Sequence, residues 1–208
     1  MGLLRKFFSN TGKPEGVMGK IVVAMMNKGH AGIAAWGFSH LDLQGNEQVL
    51  DCGCGGGANV AVFLRMVDEG RVTGLDYSPV SVEKAREVNS AAIATGRCSI
   101  VQGNVQALPF DDGGFDVVTA FETVYFWPEL PRCFGEIHRV LKPGGVFMIT
   151  NEASGRTKSH EKWQKIVDNM SVYTGEELEK LLTGAGFARV EIDEDLAHDR
   201  LNVRAYKA

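Results

Sequence analysis

From about residue 48 onward, short apolar runs alternate with longer stretches in which apolar residues return every three or four positions. Gln48–Cys52 is a valine- and leucine-bearing run closed by glycines, the pattern of a buried strand. Ala58–Glu69 carries helical spacing, and Arg71–Asp76 is a second strand. Pro79 suits the first turn of a helix that the pattern carries to about Ala94, with Val82, Ala85, Val88 and Ala92 on one face. Cys98–Gln102 and Phe115–Phe121 read as the third and fourth strands, the latter after the turn Asp111-Asp112-Gly113-Gly114. Glu129–Leu141 places Leu130, Cys133, Phe134, Ile137 and Leu141 at helical spacing until Pro143-Gly144-Gly145, and Val146–Thr150 is a fifth strand. Thr174 and Glu177 have the spacing of a capping box, so a helix begins there and closes at Gly184 and Gly186. Phe187–Asp193 and Leu201–Lys207 are two last strands with no helix between them, which predicts an antiparallel return.

Five strand–helix units followed by a hairpin predict an α/β fold. The expected form is a Rossmann-like, doubly wound, seven-stranded and mostly parallel sheet with an antiparallel last strand and helices on both faces. Residues 1–46 read differently, as helices rich in Met, Gly and Ala, and are expected to cover a second unit at 47–208. A polar, irregular stretch occupies 153–172. Sheets of this kind bind ligands at the carboxyl ends of their strands, so the residues just after each strand are the ones to examine.

Composition narrows the class. A hydrophobic fraction of 44% and a charged fraction of 23% are those of an ordinary globular domain. The net charge of -4 argues against a nucleic-acid partner, which would want a basic stripe. Cys52 and Cys54 form C-x-C without any zinc-type spacing to follow, so no metal is expected and the four cysteines read as reduced thiols. The first residues lack an apolar leader core and an acylation signal, and Val17–Met26 is too short to span a bilayer. A cytoplasmic protein without a membrane span is the expectation.

The first strand runs into Gly53-Cys54-Gly55-Gly56-Gly57. Glycines there let the backbone turn sharply and let a ligand approach the main chain, with the N–H groups of the next helix facing it. Nicotinamide and flavin enzymes share that arrangement, so it does not name a cofactor by itself. The second strand ends in Asp76, suited to accept both hydroxyls of a ribose or to cap the following helix, and Tyr77 could pack on an adenine face.

Val49-Leu50-Asp51-Cys52-Gly53-Cys54-Gly55-Gly56-Gly57 resembles the first motif of class I S-adenosylmethionine-dependent methyltransferases. Val72–Ser78 and Gly103–Phe110 resemble their second and third motifs, and Phe115–Val118 and Arg139–Gly145 the later signatures of the ubiquinone-biosynthesis-like (type 11) branch. These cover about residues 48–152 in the family's order. The resemblance implies that Gly53 and Gly55 approach the methionine part of S-adenosylmethionine, with Cys52 in the same loop and Asp51 near the amino group. It implies that Asp76 holds the ribose, and that the side chain of Asn104 and the backbone of Val105 read the adenine edge. Asn104 departs from the acid usual there, although an amide can still pair with the adenine amino group.

The family lines its methyl-transfer centre with the segment after the fourth strand, here Phe121-Glu122-Thr123-Val124-Tyr125-Phe126-Trp127. Phe121 is expected at the cofactor. Tyr125, Glu122 and, in the N-terminal region, His30 are candidates for catalysis, against the plainer readings of a hydrophobic lid, a helix cap and a structural histidine. Transfer from a sulfonium needs alignment and water exclusion first, and a base only when the acceptor must lose a proton. A glycine spacing of G-x-G-x-G disfavours a nicotinamide oxidoreductase; a non-catalytic cofactor-binding module differs from an enzyme only in turnover. The expected partner is a small-molecule methyl acceptor.

Overall fold

The computed structural model of the 208-residue chain describes residues 31–157 and 170–208. In chain order these form α1 (Ala31–Phe38), β1 (Gln48–Cys52), α2 (Ala58–Met66), β2 (Arg71–Asp76), α3 (Pro79–Val88), α4 (Ser90–Ala94) and β3 (Cys98–Gln102). β4 (Phe115–Phe121), a 3-10 turn (Val124–Phe126), α5 (Leu130–Val140), β5 (Leu141–Asn151), α6 (Gly175–Gly184), β6 (Arg189–Asp195) and β7 (Arg200–Tyr206) complete them.

The seven strands form one sheet in the order β3-β2-β1-β4-β5-β7-β6. The first five are parallel, and β7 returns antiparallel between β5 and β6. Strand direction alternates side chains between two buried faces. On one face Leu50, Val118, Phe147, Ile149 and Val203 meet Phe134 and Ile137 of α5 and Leu178 and Leu182 of α6. On the other, Val49, Val72, Val117 and Met148 meet Ala34 of α1, Val60 and Phe63 of α2, and Val82 and Ala85 of α3. The expected architecture is the observed one.

Local differences have physical causes. The helix expected to run from Pro79 to Ala94 breaks at Asn89, whose buried amide donates to the carbonyls of Ala85 (2.9 Å) and Gly57 (3.0 Å). β5 starts at Leu141 and not at Val146, because Leu141 is already extended at ψ 141° and the Pro-Gly-Gly stretch is taken up as a register shift against β4. Lys142 Nζ holds both oxygens of Asp116 at 2.8 and 2.7 Å across that shift. The capping box is present: Thr174 Oγ1 accepts from the Glu177 N–H and Glu177 reaches back to the Thr174 N–H.

Within the region expected to act as a cover, residues 31–46 pack onto the sheet. Phe38, Leu41 and Leu43 join the same apolar cluster as α2 and α3. Gly37 lies so close to Phe121 and Thr150 that an added Cβ would stand 2.6–2.7 Å from their side chains. Residues 1–30 lie outside the described part, and with them His30.

Candidate functional site

The sheet order fixes where a ligand can bind. The chain moves outward from β1 to β3 on one side, then returns to place β4 on the other, which opens a crevice at the carboxyl ends of β1 and β4. Both loops that meet there are special. After β1, Gly53, Gly55 and Gly57 have φ of 79°, 51° and 77°, conformations that a side chain disfavours. A Cβ on Gly53 would fall 2.2 Å from Thr123 Oγ1 in the loop after β4, so the two segments touch. A Cβ on Gly55 would meet nothing within 4 Å, which leaves an open cradle beside the backbone.

Two carboxyls flank the cradle. Asp76, at the end of β2, accepts through Oδ2 from the Gly55 N–H and through Oδ1 from the Ser78 N–H, each at 2.9 Å. These bonds tie the glycine loop to the next strand and leave the carboxyl at the rim of the cradle. Burial raises the Asp76 carboxyl above its ordinary range, against the lowering effect of these N–H groups. Asp51, at the end of β1, is 1% exposed; its Oδ1 accepts from Thr119 Oγ1 at 2.9 Å and its Oδ2 is buried without a partner among the described residues. Burial pushes the Asp51 carboxyl up to about 7, with the charge of Asp76 adding to the rise. A buried acceptor left unpaired is costly and marks a place for a cationic donor. The ammonium of a methionine moiety is such a donor, so the residues present fit S-adenosylmethionine.

Other expected residues fall in varied surroundings. Cys52 is fully buried in the core, so only its backbone can face a ligand. Tyr77 is 43% exposed next to Asp76, which leaves apolar ring area for an adenine. Val105 is buried, while Asn104 is exposed with Oδ1 accepting from the Gln106 N–H at 3.0 Å. The Phe121 ring turns away from the crevice and packs on Phe38 and Phe63, with centroids 5.0 and 6.3 Å away.

The turn after β4 gathers the remaining candidates. Tyr125 is buried, its hydroxyl donating to Glu122 Oε1 at 3.3 Å and accepting from the Ala153 N–H at 3.0 Å. Burial, then the charge of Glu152, pushes the Glu122 carboxyl up to about 8. Two contributors were not singled out from the sequence. Thr119 orients Asp51 from the neighbouring strand, and Thr123 packs on Gly53 while accepting from Trp127 Nε1 at 3.2 Å. Strand register pairs Asp51 with Thr119, and no linear spacing encodes that pairing. A groove of about 510 Å³ lined by His40, Leu43, Asp116, Lys142, Arg204 and Tyr206 lies at the opposite, amino ends of β4 and β5. Size alone does not make it the site; the convergent carboxyls and glycines are at the other edge.

Comparison with known proteins agrees with this geometry. Residues 50–149 match the family model described as methyltransferase domain, of type 11. The sterol 4-C-methyltransferase of Caenorhabditis elegans is 37% identical over 128 residues, 59% of this chain and 37% of that protein. Cycloartenol-C-24-methyltransferase 1 of Oryza sativa subsp. japonica is 31% identical over 170 residues, 76% of this chain and 48% of that protein. The chain thus spans half or less of the length of these relatives. A methyltransferase of Aquifex aeolicus superposes with a TM-score of 0.75 at 19% identity, covering 91% of this chain and 98% of that one. Phosphoethanolamine N-methyltransferase 2 of Haemonchus contortus, solved with S-adenosyl-L-methionine, superposes at 0.80 with 15% identity, over 100% of this chain and 60% of that one.

A sheet with this strand order, a glycine cradle at its switch point and acids ending β1 and β2 define an S-adenosylmethionine-binding α/β domain. Residues 50–149 match the type 11 methyltransferase domain, and the chain has the fold of the class I S-adenosylmethionine-dependent methyltransferases. No helix among the described residues is long and apolar enough to cross a membrane.

Proposed function

We propose that this protein transfers a methyl group from S-adenosylmethionine to a carbon of an apolar, sterol-like small molecule. The cofactor half of this reading rests on one observation above the others, the buried and unpaired Asp51 Oδ2 beside the glycine cradle. In the proposal Asp51 receives the ammonium, Asp76 the ribose hydroxyls, the backbone of Gly53 and Gly55 the methionine part, and Tyr77 and Val105 the adenine. The bound cofactor supplies an activated methyl on a sulfonium. The chain's own part is then to align the acceptor behind that methyl and to keep water away. Support for the acceptor class comes from the similarity to sterol C-methyltransferases. The partly exposed rings of Phe126 and Trp127, in the turn beyond β4, offer apolar surface on the same side. Four free, buried cysteines suit a reducing compartment, and the reading assigns the protein to the cytoplasm.

The test is incubation with methyl-labelled S-adenosylmethionine, cycloartenol in detergent micelles and, separately, a total lipid extract. A labelled neutral lipid identified by mass spectrometry is expected. Label confined to polar metabolites, protein or RNA would overturn the acceptor class, and tight cofactor binding without any transfer would reduce the domain to a binding module.

A further inference from the structure

One residue after β4 departs from ordinary backbone. Glu122 adopts φ 57°, in the left-handed region that a residue with a Cβ enters only when its surroundings hold it there. Its N–H donates to the Thr150 carbonyl at 2.9 Å. Its Oε1 accepts from the Tyr125 hydroxyl at 3.3 Å and from the Glu152 N–H, and Tyr125 is itself fixed by the Ala153 N–H at 3.0 Å. Three segments, the ends of β4 and β5 and the 3-10 turn, thus aim a single carboxyl. Both bonds fall on Oε1; Oε2 has no partner among the described residues, and Glu122 keeps intermediate exposure. Next to the paired Phe121 and Thr150, Asn151 is fully buried, and neither of its amide atoms has a partner among the described residues. Strain, an unpaired carboxyl oxygen and an unpaired amide meet at the ends of β4 and β5, next to Thr123, which touches the glycine cradle.

We infer that Glu122 takes up, through Oε2, the proton that the acceptor loses during methyl transfer, and that Tyr125 is the residue that positions it. The source of the proton rests on the proposed reading of the protein as a carbon methyltransferase. The π electrons of an acceptor double bond form the new bond to the methyl carbon while the methyl–sulfur bond breaks and leaves its electron pair on sulfur. The adjacent carbon becomes electron-deficient. A neighbouring C–H bond supplies its pair to a new double bond, and its proton passes to the Glu122 carboxylate, which later returns it to water. A carboxyl raised to about 8 by burial lies in the efficient range for a proton acceptor near neutral pH, and a sulfonium close by favours its charged form. The titratable groups facing it are Tyr125 on the turn and Glu152 beyond β5.

The deciding experiment is calorimetry in buffers of different ionisation enthalpy, which counts protons released on binding. At pH 7.5 the wild type should release roughly half a proton more than Glu122→Gln on binding S-adenosylmethionine, because the sulfonium draws the carboxyl into its charged form. With S-adenosylhomocysteine, which lacks that charge, the two should release equally. Equal release with S-adenosylmethionine overturns the inference, whatever the acceptor proves to be. With an acceptor lipid in hand, Glu122→Gln should transfer about 100- to 10,000-fold more slowly while binding S-adenosylhomocysteine normally. Tyr125→Phe removes a bond that lowers the Glu122 carboxyl, so its pH–rate limb should move to higher pH. A Glu122→Gln variant that transfers at the wild-type rate, or a limb unmoved in Tyr125→Phe, would count against the assignment. Transfer by the wild type to an acceptor other than a lipid would overturn only the acceptor class, leaving proton release to decide this one.

Discussion

Asp76 shows how one side chain can serve fold and site together. Its two oxygens hold the N–H groups of Gly55 and Ser78, fixing the glycine loop and the start of α3 before any ligand arrives. Removing it should therefore cost on both counts. Asp76→Ala is expected to weaken S-adenosylhomocysteine binding by about 1.5–3 kcal/mol, the range for a hydrogen bond to a charged group. The loss of two backbone partners should also lower the thermal midpoint. An unchanged dissociation constant in the folded variant, measured by calorimetry, would remove Asp76 from the ribose site. The sequence made this residue legible because an acid after a second strand has few other uses. Thr119 and Thr123 were not legible, since each matters through a neighbour far away in the chain: Asp51 for the first, Gly53 for the second.

At the scale of elements, α1 is held by a glycine. Gly37 lets the helix settle onto the carboxyl ends of β4 and β5, where Phe38 meets Phe63 edge-on at 4.9 Å and Phe121 at 5.0 Å. Two hydrogen bonds end α1 just beyond it: Ser39 Oγ donates to the Trp36 carbonyl at 2.6 Å and the His40 N–H to the Gly37 carbonyl at 3.0 Å. Gly37→Val would force atoms into Phe121 and Thr150, and overpacking of that kind costs about 1–3 kcal/mol. The expected result is a lower denaturant midpoint without loss of the sheet's circular-dichroism signature. A midpoint equal to wild type would show that α1 can lift away without cost.

For the whole molecule, the carboxyls raised by burial, Asp51, Asp76 and Glu122, couple stability to pH and to the cofactor. Asp51 rises from 3.8 to about 7 and Glu122 from 4.5 to about 8, so the folded chain holds more protons than the unfolded one between those values. Stability must then fall as pH rises through that window, the reverse of a salt-bridged acid. A bound ammonium against Asp51 would offset its charge. The thermal midpoint of the free protein should decline from pH 5 to pH 8.5 on account of these groups. The increment from saturating S-adenosylhomocysteine should grow over the same range. Asp51→Asn should flatten both trends in scanning fluorimetry; an increment independent of pH would argue against an ammonium at Asp51.

The sequence by itself determined the strands, their α/β alternation, the antiparallel end and the cofactor loop. Each of these is a local matter: apolar periodicity, caps, and glycines where φ must be positive. Gln48–Cys52, Arg71–Asp76, Cys98–Gln102 and Phe115–Phe121 are strands with the bounds their patterns predict. Only the tertiary structure decided which residues meet. Register set Thr119 beside Asp51, and the order β2-β1-β4 brought Thr123 onto Gly53. Packing turned the Phe121 ring into the core, and contacts between the ends of β4 and β5 strained Glu122 and left its second oxygen unpaired. Those facts depend on pairings tens of residues apart, and non-local pairing leaves no periodic trace along the chain.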